Sequence, residues 1–463
     1  MITFINTLPR LPREWLRDMT LLQKAKHHQA FMQARGTLLD AYEGNNLETI
    51  TRGFFTNPKG VVQSSVPNAK QNLIDRAIRR MALVYKRQPT YGVAAWPEGY
   101  GANRRWLFMK GAERLANLIG TLLLKPVVRQ GRLDYDLIWD YLPFFDDDPL
   151  RPTAIMYQVA APSADPSRDA EIEWVLWSRE QHAILDIHGR PKHNPDNPDN
   201  VNPLTGGELP FVTVNLRPGR EYWRWGYGQP LLDANTAINV ALTEMRLGVR
   251  YSMMGQWVVT GVGDDTKIVQ GVDQTIKLPA GATLEAIAPP ARMGEAVAYV
   301  RAELENALQN IGLSVQFGDS GDQPSGECLK IRNLELLERR EDDVALWRQV
   351  DEELYEKERL VWQAANLPGE LPDRRINFAE VEFPVPPREE RARHDWELQR
   401  GLTAITDLLI ARNPDGFGSV EEALAQIKAN LALTSGSGSG SGESRGDSHP
   451  EPARPELSRK VEG

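Results

Sequence analysis

The chain has 463 residues, of which 41% are hydrophobic and 25% charged, so it has ample apolar material for a buried core. Its 63 acidic residues outnumber the 54 basic ones, and the resulting net charge of −9 argues against a protein that binds nucleic acid over its whole surface. The single cysteine, Cys328, excludes an intrachain disulfide, and no apolar stretch reaches the roughly 18 residues that a membrane span needs.

The first 230 residues predict an α+β region, because helical periodicity gives way to short β-rich segments separated by polar loops. The N-terminal segment, which begins at Met1, lacks the basic region and the long apolar stretch of a secretion signal, and this favours a cytosolic protein. One or two helices are predicted over 13–42 and one each over 68–84 and 104–124, and strands are predicted at 133–141, 154–159, 172–177, 182–187 and 211–214.

Residues 231–312 predict a helical hairpin with a small sheet at its tip. Two amphipathic runs, 231–254 and 293–312, each carry an apolar stripe at the spacing of one helix face, and we expect both stripes to be buried. The stripes contain Ile238, Leu242, Met245, Val249 and Met253 in the first run, and Met293, Val297, Val300, Leu304, Leu308 and Ile311 in the second. Between the runs, β-branched segments at 256–260, 274–278 and 283–287 predict short strands.

Residues 313–327 are rich in glycine and serine and predict a mobile loop. The loop has three acidic residues, Asp319, Asp322 and Glu327, and no basic one. A long helix is predicted to begin near Ser325 to Cys328 and to continue to about Trp362. A helix of that length exceeds the usual globular range, so we expect it to bridge two parts of the molecule.

The C-terminal part predicts a strand at 376–383 followed by two helices, at 388–411 and 420–433. Residues 434–463 contain a Ser-Gly repeat and few apolar side chains, so we expect a flexible tail.

Patterns of catalytic chemistry are sparse, and we expect no enzyme activity, cofactor or bound metal. The sequence has no phosphate-binding loop, paired-cysteine motif or His-Glu-x-x-His. A metal ion could be coordinated by Asp186, His188 and His193, and a second acidic group is the compact run from Asp146 to Asp148. Solvent-exposed loops explain both groups better. Cys328 is more typical of a packing residue near a helix start than of a nucleophile.

An aromatic run before the first hairpin helix has two interpretations. Tyr222, Trp223, Trp225 and Tyr227 surround Arg224, a composition that could stack on nucleic-acid bases. Packing where a loop enters a long helix is the favoured interpretation.

Three segments carry a resemblance to a known family. They are Leu-Pro-Phe-Val at 209–212, the Gly-Tyr-Gly-Gln-Pro stretch from Gly226 into the long helix at 226–239, and Ser-Gly-Glu-Cys-Leu-Lys-Ile at 325–331. Their order, over roughly residues 68–413, resembles that of tailed-bacteriophage portal proteins, the head-tail connectors of phage particles.

The resemblance implies a portal-like α+β fold made of named parts. These would be an α/β wing (1–230), a first stem helix (231–254), a clip (255–292), a second stem helix (293–312), a tunnel loop (313–327), a tunnel helix with the C-terminal part of the wing (328–387), a helical crown (388–433) and a disordered tail (434–463). The loop is unusually acidic and the crown short for that family.

The function implied by the resemblance is a ring, usually a dodecamer, at one capsid vertex, through which double-stranded DNA is packaged and ejected. The implied partners are the terminase large subunit, head-completion or adaptor proteins and the major capsid protein or scaffold, in the virion and, during assembly, in the host cytoplasm, without a membrane. The DNA-facing residues of the tunnel loop would be Val315, Gln316, Phe317, Asp319, Ser320, Asp322, Gln323 and Ser325, and partner contacts of the clip would involve Trp257, Lys267 and Lys277.

Two other classes stay open at this point. A structural or adaptor protein of the head-tail junction would share the long helices but need no channel. A metal-dependent nuclease or hydrolase is a third reading, and it would depend on Asp146 to Asp148.

Overall fold

The computed structural model describes residues 21–55, 69–93, 95–160, 172–186, 189–195, 197–217, 219–254, 256–261, 281–287, 293–313, 334–380, 387–412 and 420–436. The chain divides into two compact units, residues 1–383 and 384–463. About half of the chain is helical and about a sixth is in strands, which makes the fold α+β, as the sequence predicts.

Four helices are present in the described residues of the N-terminal part of the first unit. They are α1 (Leu21–Glu43), α2 (Leu47–Gly53), α3 (Leu73–Met81) and α4 (Ala102–Ile119). The three predicted helical stretches are therefore confirmed where they are described, while α2 was not predicted. α3 begins at an N-cap, because the Asn72 side chain accepts a hydrogen bond from the Asp75 amide.

The prediction that the third helix continues to Leu124 was wrong. α4 ends at Ile119, and Gly120 turns the chain with a φ of 88°. A Cβ at Gly120 would lie 2.2 Å from the carbonyl oxygen of Arg224, so only glycine fits this turn. Leu122 to Leu124 are buried in a strand instead, and their continuous apolar run is equally compatible with either structure.

Two antiparallel sheets follow, where the sequence predicted one small sheet. The first has the order β2-β1-β7 and the second the order β3-β4-β5-β6. The strands are β1 (Thr121–Arg129), β2 (Arg132–Ile138), β3 (Leu142–Phe144), β4 (Ala154–Ala160), β5 (Ile172–Ser178), β6 (His182–Leu185) and β7 (Val212–Asn215). All five predicted strands exist, and β1 and β3 were missed.

Within the described residues, the first unit also contains the two hairpin helices, the two strands between them and the longest helix. They are α5 (Gly228–Met254), β8 (Gln256–Thr260), β9 (Thr283–Ile287), α6 (Met293–Gln309) and α7 (Leu334–Ala364). At 31 residues, α7 is about 46 Å long. Its Trp347, Val350 and Leu354 are buried in the main core, which also contains residues of α3, α4, β1 and β7.

The predicted strand at 376–383 was wrong in its described part. Asn377 forms an isolated antiparallel bridge with Thr90, with backbone N–H···O distances of 2.8 and 3.0 Å, and no longer strand is present over 376–380. Its alternating side chains nevertheless enter the core, since Ile376 and Phe378 are buried.

The second unit contains α8 (Pro387–Gln399), α9 (Ile405–Arg412) and α10 (Val420–Gly436). The single helix predicted over 388–411 is therefore two helices, separated at Gly401, which has a φ of 65°. The helix predicted over 420–433 is confirmed, but it continues to Gly436, so the predicted start of the tail at residue 434 was wrong. α9 and α10 pack against each other. Residues 437–463 of the predicted tail lie outside the described part of the chain.

A buried carboxyl group of α4 makes the stability of the first unit depend on pH. Glu113 is fully buried and accepts hydrogen bonds from the Val84 and Tyr85 amides, at 2.8 and 2.9 Å. Burial raises the pKa of Glu113 to about 7, although these backbone hydrogen bonds act in the opposite direction.

We expect the free energy of unfolding to fall as the pH rises from about 4.5 to 7. Over that range the folded state keeps a proton on Glu113 that the unfolded state has released. Glu113 therefore lowers the free energy of unfolding by at most ~1.4 kcal/mol for each unit that the pH rises. Urea unfolding measured across this range should give a less steep fall, or a steeper rise, of the free energy of unfolding with pH for Glu113→Gln than for the unmodified chain. The exposed Glu98→Gln variant is the control, and an unaltered slope in Glu113→Gln would contradict this account.

Candidate functional site: the helical hairpin and the loop base

The hairpin predicted from the sequence is confirmed by α5, β8, β9 and α6. The two helices contact each other, and β8 pairs with β9 in antiparallel register from Gln256↔Ile287 to Thr260↔Thr283. The hydroxyl oxygens of Thr260 and Thr283 are 2.6 Å apart across this ladder. A third predicted strand, 274–278, lies outside the described residues.

A polar ladder on α5 fixes the base of the hairpin to the rest of the unit. Asn235, Asn239 and Thr243 are buried and lie four residues apart on one helix face. Their side-chain oxygens accept hydrogen bonds from the backbone amides of Leu73 (2.7 Å), Gln71 (2.9 Å) and Ala69 (3.0 Å), in that order. Asn239 also donates from its side-chain amide to the Gln71 carbonyl at 3.0 Å. Side chains of α5 thereby provide hydrogen-bond partners for the backbone groups of the segment before α3, as a neighbouring strand would.

Asn239→Ala is expected to destabilise this attachment by about 1–3 kcal/mol, because it removes two hydrogen bonds of about 0.5–1.5 kcal/mol each, to the amide and the carbonyl of Gln71. Hydrogen exchange should show faster exchange in residues 69–73 of the variant. Thr236→Ala is the matched control on the same helix, since the Thr236 hydroxyl bonds only the Leu232 carbonyl of its own helix. Equal protection in the two variants would argue against the ladder.

The expectation that both apolar stripes are buried was only partly right. At the base, Ile238, Leu308 and Ile311 are buried. Farther along the hairpin, Leu242, Met245, Val249, Val300 and Leu304 are only half-buried, and Val297 is 38% exposed. Two contacting helices cover only part of each other's apolar face, so the outer part of the hairpin keeps an apolar surface that the described residues leave uncovered.

The described residues on either side of the segment that contains the predicted tunnel loop lie next to each other. Leu313, after α6, and Leu336, at the start of α7, are both buried in the main core. A Cβ built on Gly312 would lie 3.4 Å from the carboxyl carbon of Glu335. The chain between them therefore leaves and returns at adjacent positions. Residues 314–333 themselves, including every predicted DNA-facing residue and Cys328, lie outside the described part of the chain.

The base of the loop is packed around Tyr227, which directly precedes α5. The guanidinium carbons of Arg217 and Arg339 lie 4.4 and 4.3 Å from the centroid of the Tyr227 ring. Arg339 also donates to the Asn117 side-chain oxygen at 2.5 Å, which connects the first turns of α7 to α4. Stacking and hydrogen bonding thus hold three elements together where the loop departs.

The middle of α7 is held by a buried network of charges that the sequence analysis missed. The Nη1 atom of Arg105 on α4 is 2.5 Å from Asp351 Oδ1, and its Nε atom is 2.7 Å from Glu358 Oε1. All three side chains are completely buried, and Arg374 forms a further ion pair with Asp351. Tyr85 donates its hydroxyl to Asp351 at 3.1 Å.

The carboxylates of this network favour the charged form of Arg105. Burial disfavours the charged guanidinium of Arg105, but Asp351 and Glu358 outweigh it and raise its pKa well above the ordinary value. Tyr100 donates to Glu358 at 2.9 Å, and burial together with that carboxylate raises the pKa of Tyr100. The network therefore locks α7 onto α4. The seven-residue spacing of Asp351 and Glu358, on the face of Trp347 and Leu354, was the signal that sequence reasoning overlooked.

The aromatic run packs inside the unit, as the favoured interpretation predicted. Tyr222 is fully buried and Trp223 is 2% exposed. The hydroxyl oxygen of Tyr222 lies 2.9 Å from that of Tyr141, and the ring centroid of Trp223 lies 4.8 Å from that of Tyr141. Arg224 donates from its backbone amide to the Thr121 hydroxyl at 2.7 Å. These aromatic rings are therefore not free to stack on bases.

The other predicted site residues are not brought together. Asp146, Asp147 and Asp148 are exposed, and Asp148 accepts a hydrogen bond from the Leu150 amide at 2.9 Å, as expected of a solvated turn. In the described part of the chain, no group of three or more His, Cys, Asp or Glu side chains could hold a metal ion. Among the clip residues, Trp257 occupies a β8 position opposite Ala286, whereas Lys267 and Lys277, like His188, lie outside the described residues.

Comparison with known proteins yields no family. No protein-family model matches the chain, and no curated protein matches it at a significant level. Within the ranges that the structure describes, no helix is long and apolar enough to cross a bilayer.

Proposed function

We propose that this chain is a ring-forming subunit of a phage portal, a channel for double-stranded DNA at the capsid vertex. The observation that carries the proposal is the contrast along the hairpin, whose base is buried while its outer half retains half-exposed apolar side chains. Surfaces of this kind are typical of contacts between subunits. In a ring, each hairpin would pack against those of its two neighbours through head-to-tail contacts.

The loop base supports the same proposal. Because the segment 314–333 leaves and returns at adjacent points, rotational repetition would set one such loop per subunit around the ring axis. DNA carries one charge per ~1.7 Å of its axis, so a basic lining would bind phosphates continuously during passage. The segment contains Asp319, Asp322 and Glu327 but only two basic residues, Lys330 and Arg332, near its end. We therefore propose a lining of low friction formed by its first half.

The fixed position of α7 gives this loop a rigid support. Motor forces on the loop would pass into α7, and the buried ion pairs with Arg105 and Arg374 hold that helix against α4 and the main core. In this proposal the protein performs no chemistry and needs no cofactor. Its partners would be terminase and head-completion proteins at the β8–β9 tip, and the capsid protein or scaffold elsewhere, in the virion and during assembly in the host cytoplasm.

Electron micrographs of the purified full-length protein test the ring. A closed ring with an axial hole, dodecameric by the resemblance, is the expected result. A stable monomer or dimer under assembly conditions would refute the portal function and favour the adaptor class.

The loop has its own prediction. Replacing Asp319 and Asp322 together by lysine should slow or stall packaging, because the ring would then present many new cations to the phosphates. Packaging rate and packaged DNA length measure the effect. Asp146→Lys with Asp147→Lys makes the same charge change on an exposed turn and should leave both unaltered. Normal packaging by the loop variant would count against contact between loop and DNA.

A further inference from the structure

The first unit has a basic face in an otherwise acidic protein. α3 buries Ile74, Ala77, Ile78 and Met81 and presents Arg76, Arg79 and Arg80 to solvent. Lys86 follows and is exposed, and Lys110 of α4 lies beside it, with its Nζ atom 3.5 Å from the Lys86 carbonyl. We call these five residues the basic face. Arg79 pairs with Asp75 at 2.6 Å, and the other four form no ion pair with the described residues.

The outward side of α7 has the opposite charge. Glu338, Glu341, Asp342, Glu352 and Glu353 are exposed, and we call them the acidic stripe. Within the described residues none of them takes part in an ion pair; Glu353 accepts only a side-chain hydrogen bond from Gln349, at 2.8 Å. The one exposed cation on this side of the helix between Glu338 and Glu356 is Arg348.

The stripe destabilises its own helix in the isolated chain. Glu338 and Asp342 are four residues apart, and Glu338 and Glu341 three apart, which are the spacings at which like charges on a helix repel each other. Arg340 and Lys357 of α7 do not relieve this repulsion, because both contact other groups. Arg340 donates to the Ala379 carbonyl, and Lys357 pairs with Glu208 at 2.7 Å. A cationic partner would relieve it.

We propose that the basic face of one subunit binds the acidic stripe of the next copy of this chain. This inference rests on the proposed ring, and it names the surfaces of one of its contacts. A head-to-tail contact joins two different patches of the same chain, so those patches must complement each other, as these two do in charge. A two-fold contact would instead require one self-complementary patch. Nucleic acid is the weaker choice of partner for the basic face, because the chain as a whole carries a net charge of −9.

A charge-swap experiment on the full-length chain tests the contact. The variants Arg76→Glu/Arg80→Glu and Glu352→Lys/Glu353→Lys each place like charges across it. Each alone should raise the concentration needed for assembly at least tenfold, measured by analytical ultracentrifugation and electron microscopy. The four changes combined in one chain, or an equal mixture of the two double variants, should restore assembly, since opposite charges then meet at every contact.

The control is Arg151→Glu/Arg190→Glu, which makes the same change in net charge at two exposed arginines outside the basic face. Assembly of this variant should match that of the unmodified protein. Circular dichroism of each variant at a concentration below assembly should be unchanged, because every substituted side chain is exposed in the subunit.

The outcomes separate this inference from the proposed function. Rings that form equally well in all variants overturn the inference and leave the portal proposal standing. Charge-swap rescue of an open or small oligomer supports the inference while refuting the closed ring. If assembly is unaffected but the Arg76→Glu/Arg80→Glu variant binds a 30-base-pair duplex more weakly than the control, the basic face is a nucleic-acid surface and the inference fails.

Discussion

Arg105→Met is expected to lower the free energy of unfolding of the first unit by about 3–5 kcal/mol, because removing one member of a buried ion pair leaves the other uncompensated. Asp351 would keep Arg374, but Glu358 would lose the only cation that pairs with it in the described part of the chain. The loss should concentrate on α7, and hydrogen exchange of its amides together with urea unfolding would measure it.

The matched control for Arg105→Met is Arg129→Met. Arg129 also contacts two carboxylates, Asp134 and Asp136, but its side chain is 51% exposed. Solvent screens such pairs, so the expected loss is about 0–1 kcal/mol. Losses of similar size in the two variants would mean that burial does not determine the strength of the α4–α7 attachment.

Val297→Glu is expected to abolish ring assembly while leaving the subunit folded. Val297 is 38% exposed in the single chain, so a glutamate there should change subunit stability by no more than about 0.5 kcal/mol. In an assembled hairpin the same glutamate would be buried without a partner, and each 1.4 kcal/mol lost at a contact weakens it about tenfold. Ultracentrifugation measures assembly, and thermal unfolding measures the subunit.

Two further variants make the Val297 result interpretable. Val201→Glu changes another exposed valine, 55% exposed and far from the hairpin in sequence, and should leave assembly intact. Leu308→Ala at the buried base should instead destabilise the subunit itself by about 2–5 kcal/mol. Rings formed by Val297→Glu as readily as by the unmodified chain would show that the outer hairpin does not contact a neighbour.

Long periodic segments were predictable because a repeated helical pattern constrains the chain at many positions. The hairpin helices, α7 and α10 agree with their predicted ranges to within a few residues where they are described. The structure of short apolar runs was not predictable in this way. Leu122 to Leu124 fit the end of a helix as well as a strand, and pairing with β2 and β7 decided between them. Ile376 to Phe378 alternate like a strand, yet they form a single bridge.

The buried charges show why the attachment of α7 was not predictable. In the sequence, Arg105, Asp351 and Glu358 look like residues of solvated helix faces, since charged side chains are almost never fully buried unless they are paired. Their partners lie about 250 positions away along the chain. The Asn235, Asn239 and Thr243 ladder likewise becomes meaningful only once the segment 69–73 lies against α5.

The sequence by itself determined the α+β class, the order of the hairpin and the long helix, and the internal packing of the aromatic run, because these follow from periodicity and composition along the chain. Only the tertiary structure decided which parts of the apolar stripes stay uncovered, that Gly312 and Glu335 meet at the loop base, and which charges are buried in pairs. Those properties depend on distances between residues remote in sequence, and no local pattern encodes such distances.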